Sequence, residues 1–284
     1  MSNGYQSMSL KIGETMKKKV STNLILGCFI VVFFFFVMFV SFVYTPYDAN
    51  QMRSEDRFHP PGKRYLFGTD NFGRDIFSRI MKGTETAFLV GTISISMGML
   101  IGVFLGALSG YYGGWFDRII MKINETLQAF PGILLALMIV AVFGPGTINT
   151  IVALSITAVP GFIRITRSGF LQFREYNFVE AARALGFGSS RIMFKHILPN
   201  LFPTLVVAVS NGFAGTLLAE AGLSYLGLGV QPPDPSWGRM LHEAQSYLFS
   251  APWYSLAPGF ALLLLILGFN FLSDGIRDLI DPKY

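Results

Sequence analysis

Long apolar stretches separated by short polar ones dominate the pattern of this chain. Residues 24–44 run without a charge and include four consecutive phenylalanines, Phe33 to Phe36. A bilayer core takes about 20 apolar residues in helical form, so this stretch predicts a first membrane-spanning helix. Lys17, Lys18 and Lys19 stand just before it. The run is too long for the apolar centre of a signal peptide, and no small-residue cleavage site follows, so the helix is expected to be retained. Further spans are expected at about 87–109, 119–143, 148–166, 202–226 and 256–272. Residues 126–163 carry no charge, too long a stretch for one helix, and Gly144-Pro145-Gly146 marks the turn that divides it. The third span is expected to tolerate Lys122 and Glu125 near its start. Gly98, Gly102 and Gly106 lie four apart in the second span, on one helix face where another helix can approach closely. The pattern predicts an all-α membrane protein of about six transmembrane helices with both termini on one side.

Composition supports that class. Of 284 residues, 52% are hydrophobic and 14% charged, against about 25% charged in soluble domains. A soluble enzyme, a disordered chain and a disulfide scaffold are excluded; Cys28 is the single cysteine. The net charge of +5 fits basic cytoplasmic loops, not nucleic-acid binding. With both termini inside, the cytoplasmic segments hold 14 of the 22 Lys and Arg. The first external loop is the exception, but its basic residues are nearly balanced by Asp48, Glu55, Asp56, Asp70, Asp75 and Glu85. Residues 170–198 and both termini are therefore expected in the cytoplasm, and residues 50–82 and 230–250 outside.

The segment 167–199 is polar and predicts a small helical hairpin. Asn177 is placed to cap a helix, with Glu180 three residues on as in a capping box. Phe178, Ala182 and Leu185 are expected on one face, and Gly186 suits the left-handed position that stops a helix. Ser189 or Ser190 is expected to cap a second short helix that ends before Pro199. Adjacent Ala181 and Ala182 leave room for close approach of a partner.

Glu180-Ala181-Ala182, then Gly186, then Leu198-Pro199 resembles the Glu-Ala-Ala loop of the inner-membrane subunits of ABC importers that depend on a binding protein. The sequence departs from that pattern at His196, where the family has Ile. A second stretch, Gly68-Thr69-Asp70, Gly73-Arg74-Asp75 and Ser78-Arg79, is similar to a signature of the second (C-type) permease subunit of dipeptide, oligopeptide and nickel importers. So is Ala219-Glu220-Ala221-Gly222 through Gly229, with Ser236-Trp237-Gly238. The resemblance covers about 66–282 and divides the chain into an N-terminal segment, 1–65, and a permease core, 66–284. It implies a type I ABC importer permease fold in a bacterial-type inner membrane. It also implies a homologous permease partner, two cytosolic ATPases docked on coupling loops, and an extracytoplasmic binding protein. ATP and Mg would bind the ATPases, and this chain would hold no cofactor. The implied cargo is a peptide, with a nickel or metal chelate as the alternative.

The residues of the external signature read independently as amphipathic. Ile76, Phe77 and Ile80 could lie on the membrane surface with Arg74, Asp75 and Arg79 upward. Asp70 and Asp75 are expected to pair with Arg74 or Arg79, in a structural clamp rather than a receptor for the binding protein. Glu220 is the one acid deep in a span; it reads either as a transport acid or as a hydrogen-bonded structural group, and the shared motif favours the latter. His59, His196 and His242 are too far apart for a short metal motif. No Gly-x-x-x-x-Gly-Lys-Ser/Thr occurs, so no ATP-hydrolysing loop of that kind is expected. An ion-coupled secondary transporter would carry more intramembrane charge than Glu220, and a membrane-embedded enzyme would cluster His, Asp or Cys at depth.

Overall fold

A computed structural model describes residues 21–280. The expected basic flank at Lys17–Lys19 and the end of the resemblance at Pro282 lie outside the described residues. The helices in order are α1 (Thr22–Val43), α2 (Ile76–Tyr112), α3 (Gly114–Gln128), α4 (Gly132–Phe143), α5 (Thr147–Phe173), α6 (Asn177–Ala184), α7 (Ser189–Tyr225), α8 (Trp237–Ala244) and α9 (Pro252–Ile280). Among the described residues no strand forms. Five helices (α1, α2, α5, α7 and α9) are long and apolar enough to cross a bilayer, and the pair α3 and α4 makes a sixth span only as a bent unit.

That bend corrects the straight third span. The chain turns by 88° between α3 and α4. Its cause stands in the sequence as Pro131-Gly132: proline lacks an N–H, and the residue before it avoids the helical region. The second span also differs. It begins at Ile76, about eleven residues before the apolar run expected of it, because Arg79, Lys82 and Glu85 occupy the first turns. Ile76 and Ile80 are buried in the bundle core with Phe88, Trp237 and Tyr254. The stretch therefore does not lie along the membrane surface, as its amphipathic pattern had suggested.

Glycine sets the closest contacts. A Cβ on Gly98 would stand 2.7 Å from the Ala158 Cβ, one on Gly102 2.5 Å from the Phe162 Cβ, and one on Gly106 2.7 Å from the Ile163 carbonyl. The expected glycine face is thus the seam between α2 and α5, where two backbones pack without side chains between them. A second seam joins α1 to α9, where a Cβ on Gly27 would meet the Leu272 nitrogen at 2.3 Å. Large apolar side chains such as Phe29, Leu100 and Phe202 point outward, as a lipid-facing surface requires.

Candidate functional site

The polar ends of α2 lie about 55 Å apart, from 37 residues at 1.5 Å each. Each end carries one of the two motif regions.

At the C-terminal end of α2 sits the hairpin. α6 spans eight residues, and its N-cap is Tyr176. Asn177 is the first helical residue, no side chain caps the helix, and the expected capping box does not form. The C-terminal stop does form. Gly186 has φ +76°, the Phe187 N–H donates to the Ala182 carbonyl at 3.1 Å, and the Gly186 N–H donates to the Arg183 carbonyl at 2.9 Å. These are the two bonds of a Schellman motif, which satisfies carbonyls the ending helix leaves free.

The buried face of α6 is Val179 and Ala182, not Phe178, Ala182 and Leu185. Both pack on Ile192, Met193 and Ile197 within the core cluster that also holds Phe170 of α5. Leu185 is 73% exposed and Phe178 38% exposed, and Ala181 and Glu180 are open as well. The second helix does not stop before Pro199. Residues Ile192–Ile197 form a π-helical turn that continues straight into the long span, with Leu198 and Pro199 inside α7. Neither Ser189 nor Ser190 caps it. His196 stacks on Phe187 with centroids 5.6 Å apart, and Arg191 covers the Phe187 ring at 4.1 Å. The hairpin is tied to α2 by Arg174, which donates to the Gly110 carbonyl at 3.3 Å, and by Arg183 over the Tyr111 ring. Asp117 and Arg167 join α3 to α5 close by, through bonds of 2.6 and 2.7 Å. The hairpin is thus anchored on α2, on α5 and on the π-helical turn, while Ala181 and Leu185 stay exposed on its other side.

At the other end of α2 the signature residues fold into a compact knot. Asp75 is the N-cap of α2: its carboxylate accepts from the Ser78 N–H at 2.8 Å and the Ser78 hydroxyl at 2.6 Å. Asp70 accepts from the backbone N–H groups of Phe72 and Arg74 and pairs with the Arg74 guanidinium at 2.5 Å. Arg74 reaches on to Glu243 of α8 at 2.7 Å, and Arg79 lies 3.8 Å from Asp70 and 4.0 Å from Glu243. The Tyr254 hydroxyl of α9 stands 3.1 Å from both Glu243 and Asn71. Thr69 takes the His59 N–H and donates to the Asp56 carbonyl. Gly68 and Gly73 have φ near +75°, and a Cβ on Gly73 would meet the Arg53 carbonyl at 1.8 Å. Asp70, Arg74, Asp75 and Arg79 are all buried. Burial would raise the Glu243 carboxyl, but the charges of Arg74 and Arg79 and the Tyr254 hydroxyl hold it below the usual carboxylate range. The same carboxylates push the Arg74 guanidinium up against the opposing effect of its burial. Sequence reasoning missed Glu243 and Tyr254, which lie some 170 residues away along the chain.

Glu220 is buried near the far end of α7, and the Ser224 hydroxyl donates to it at 2.6 Å. Ser224 in turn accepts the Val230 N–H at 3.0 Å, so the pair holds the fold-back after α7. No group of three or more His, Cys, Asp or Glu is placed to hold a metal ion among the described residues.

A bundle of apolar helices with a buttressed hairpin at one end is the build of a membrane transport subunit. Residues 98–284 match the family described as "Binding-protein-dependent transport system inner membrane component", and the chain belongs to that family. It is 45% identical over 239 residues to the glutathione transport system permease protein GsiD of Pectobacterium atrosepticum, covering 84% of this chain and 79% of that one. It is 41% identical over 259 residues to the dipeptide transport system permease protein DppC of Alkalihalophilus pseudofirmus, covering 91% and 85%. Its fold is similar to a chain of the MetNI methionine ABC transporter in an inward-facing conformation, with a TM-score of 0.60 at 20% identity over 72% of this chain and 96% of that one. The chain is accordingly a multi-pass permease subunit of an ATP-binding-cassette importer, a class that works with an ATPase and a binding protein.

Proposed function

We propose that this chain forms half of a peptide import pathway and couples it to ATP hydrolysis on a separate subunit through α6. The observation that carries the coupling role is the hairpin's two-sidedness. Val179 and Ala182 anchor it inside the protein, while Phe178, Ala181, Leu185 and Gly186 present an apolar ridge to the outside. An eight-residue helix is too short to persist alone and needs the packing beneath it. An exposed leucine at its tip suits a groove on a partner. A push on α6 is transmitted to α7 through Ile192, Met193 and Ile197, because close-packed side chains shift together instead of deforming. Closure of two ATPases on the α6 helices of this chain and of a homologous permease would thereby switch the pathway between its two faces.

The peptide class rests on the relatives named for dipeptide and glutathione transport. The chain carries no phosphate-binding loop, so ATP and Mg are assigned to the cytosolic partners. The N-terminus, the C-terminus and the hairpin are assigned to the cytoplasm on the distribution of Lys and Arg, and the Asp70–Glu243 knot to the outside, where a binding protein would deliver cargo. The test is reconstitution in proteoliposomes. The full complex should take up a labelled dipeptide when ATP is supplied on the hairpin side, and this chain alone should take up none. ATP-driven uptake by the single chain would refute the division of labour. Labelling of a Ser189→Cys variant by an impermeant reagent from outside intact cells would refute the orientation.

A further inference from the structure

The glycines of the spans fall into two groups. Those on α2 are filled by neighbours, as the seam with α5 shows. Gly132, Gly161 and Gly215 have nothing within 4 Å of where a Cβ would stand. The chain's own packing does not require glycine at any of the three. All three line one cavity of about 440 Å³, walled by α4, α5 and α7 with Ile95 of α2. Its lining on α5 recurs at 154, 157, 158, 161, 162 and 165, and on α7 at 208, 211, 212, 215, 216 and 219. Each set is one continuous helix face.

Two polar side chains on that face have no hydrogen-bond partner among the described residues. Thr216 is 93% buried, lines the cavity and makes no side-chain hydrogen bond. Asn211, at the midpoint of Leu198–Tyr225, is exposed and likewise unbonded. A bare carboxamide in the middle of a span is costly against lipid, which offers no partner. The broken backbone between α3 and α4 adjoins the same cavity through Gly132 and Ile133, and non-helical backbone at membrane depth is tolerated where it lines a water-filled space. No charged residue, His or Cys lines the cavity, so it suits neither a metal ion nor a chelate bound through protein ligands.

We infer that this cavity is the chain's share of the substrate passage, and that Asn211 and Thr216 hydrogen-bond the main-chain amides of a passing peptide. The inference rests on the peptide reading above and names the residues that serve it. A carboxamide both donates and accepts, as a peptide group does, and a hydroxyl can do either. Neither reads side chains. The glycines leave room for bulk, and Ile95, Leu154 and Phe162 offer an apolar wall without specific shape. Such a passage favours the backbone common to all peptides and leaves selection among them to other parts of the complex.

The test uses the whole complex in proteoliposomes, with Cys28→Ser in this chain. Gly161→Cys and Gly215→Cys should react with a charged methanethiosulfonate, while Leu218→Cys, on the outward face of the same helix, should not. Absence of reaction at 161 and 215, or their ready disulfide coupling to a partner helix instead, would overturn the passage assignment. For uptake of the labelled dipeptide Ala-Ala and of glutathione, Asn211→Leu and Thr216→Val should each raise the half-saturating concentration roughly five- to tenfold, the loss of one hydrogen bond. Asn211→Gln should restore part of it. Unchanged half-saturation in both variants would overturn the amide-binding role. If the unsubstituted complex carries neither peptide while positions 161 and 215 still react, the peptide reading and the amide role fall together, and the passage stands on the labelling.

Discussion

Replacing Gly186 by valine isolates one term in the hairpin's stability. The residue sits at φ +76° and closes the Schellman motif of α6. Nothing lies within 4 Å of its missing Cβ, so a side chain there clashes with no neighbour. The whole effect is conformational, about 1–2 kcal/mol for a residue with a Cβ in the left-handed region. That is a factor of about 5–30 in the folded-to-unfolded ratio of the hairpin. Gly186→Asn should lose less, because asparagine tolerates that region. The long apolar helices do not depend on this turn, so membrane abundance should stay near that of the parent. The assay is titration of purified chain in nanodiscs with the cytosolic ATPase. The Val variant should bind more weakly, by up to about 5–30-fold, and the Asn variant should fall between. Equal affinity for all three would show that the geometry of α6 does not govern docking. Ala182→Arg is a poorer probe than its place in the sequence suggests. Ala182 packs inside this chain, and an arginine there would disrupt the hairpin before any partner arrived.

Three further outcomes follow from the packing. Glu243→Gln should lower the melting temperature at pH 7 by an amount equal to about 1–3 kcal/mol, because Arg74 and Arg79 lose a charged acceptor. The Glu243 carboxyl is held below its usual range, so its contribution is present above the ordinary value near 4.3 and fades as pH falls through the lower folded-state value. Thermal melts of the parent and variant should therefore converge as pH falls below that ordinary value, and a pH-independent gap would refute the ion-pair account. Gly102→Leu should destabilise the bundle by about 1–3 kcal/mol or more through overpacking against Phe162 and Val159, whereas Gly161→Ala should fold normally; equal melting temperatures would remove the glycine seam from the account.

The helices announced themselves where one physical requirement dominated. Long apolar runs located all five long helices, even where they carry Arg164 or Glu220, and the four-residue glycine spacing foretold the α2–α5 seam. The misses have equally definite causes. The apolar character of 119–143 predicts one continuous span and masks Pro131-Gly132, although a similar signal at Gly144-Pro145-Gly146 separates two helices. α2 begins before its apolar run because its charged first turns, which resemble a loop in sequence, are paired: Arg79 with Asp70 and Glu243, and Lys82 with Glu85. On α6, Phe178 and Leu185 share a periodic stripe with Ala182 yet are exposed, because on so short a helix an outward apolar ridge and a buried anchor give similar periodicity. Asn177 resembled a cap because a side chain that can cap does so only when the preceding backbone places it at the N-cap. The cavity along α5 and α7 left its trace as Gly161, Asn211 and Gly215, each unremarkable in sequence until the helices are set side by side.

Docking of the ATPase on α6 can be measured directly. The direct measurement is site-specific photocrosslinking in native membranes from a benzophenone attached at Leu185→Cys in a Cys28→Ser background. Crosslinking should capture the ATPase subunit, with a yield that changes when ATP is added, and the same probe at Ser190, next to the hairpin turn, should capture less. Efficient crosslinking of the ATPase from elsewhere on the chain with none from position 185 would contradict the account.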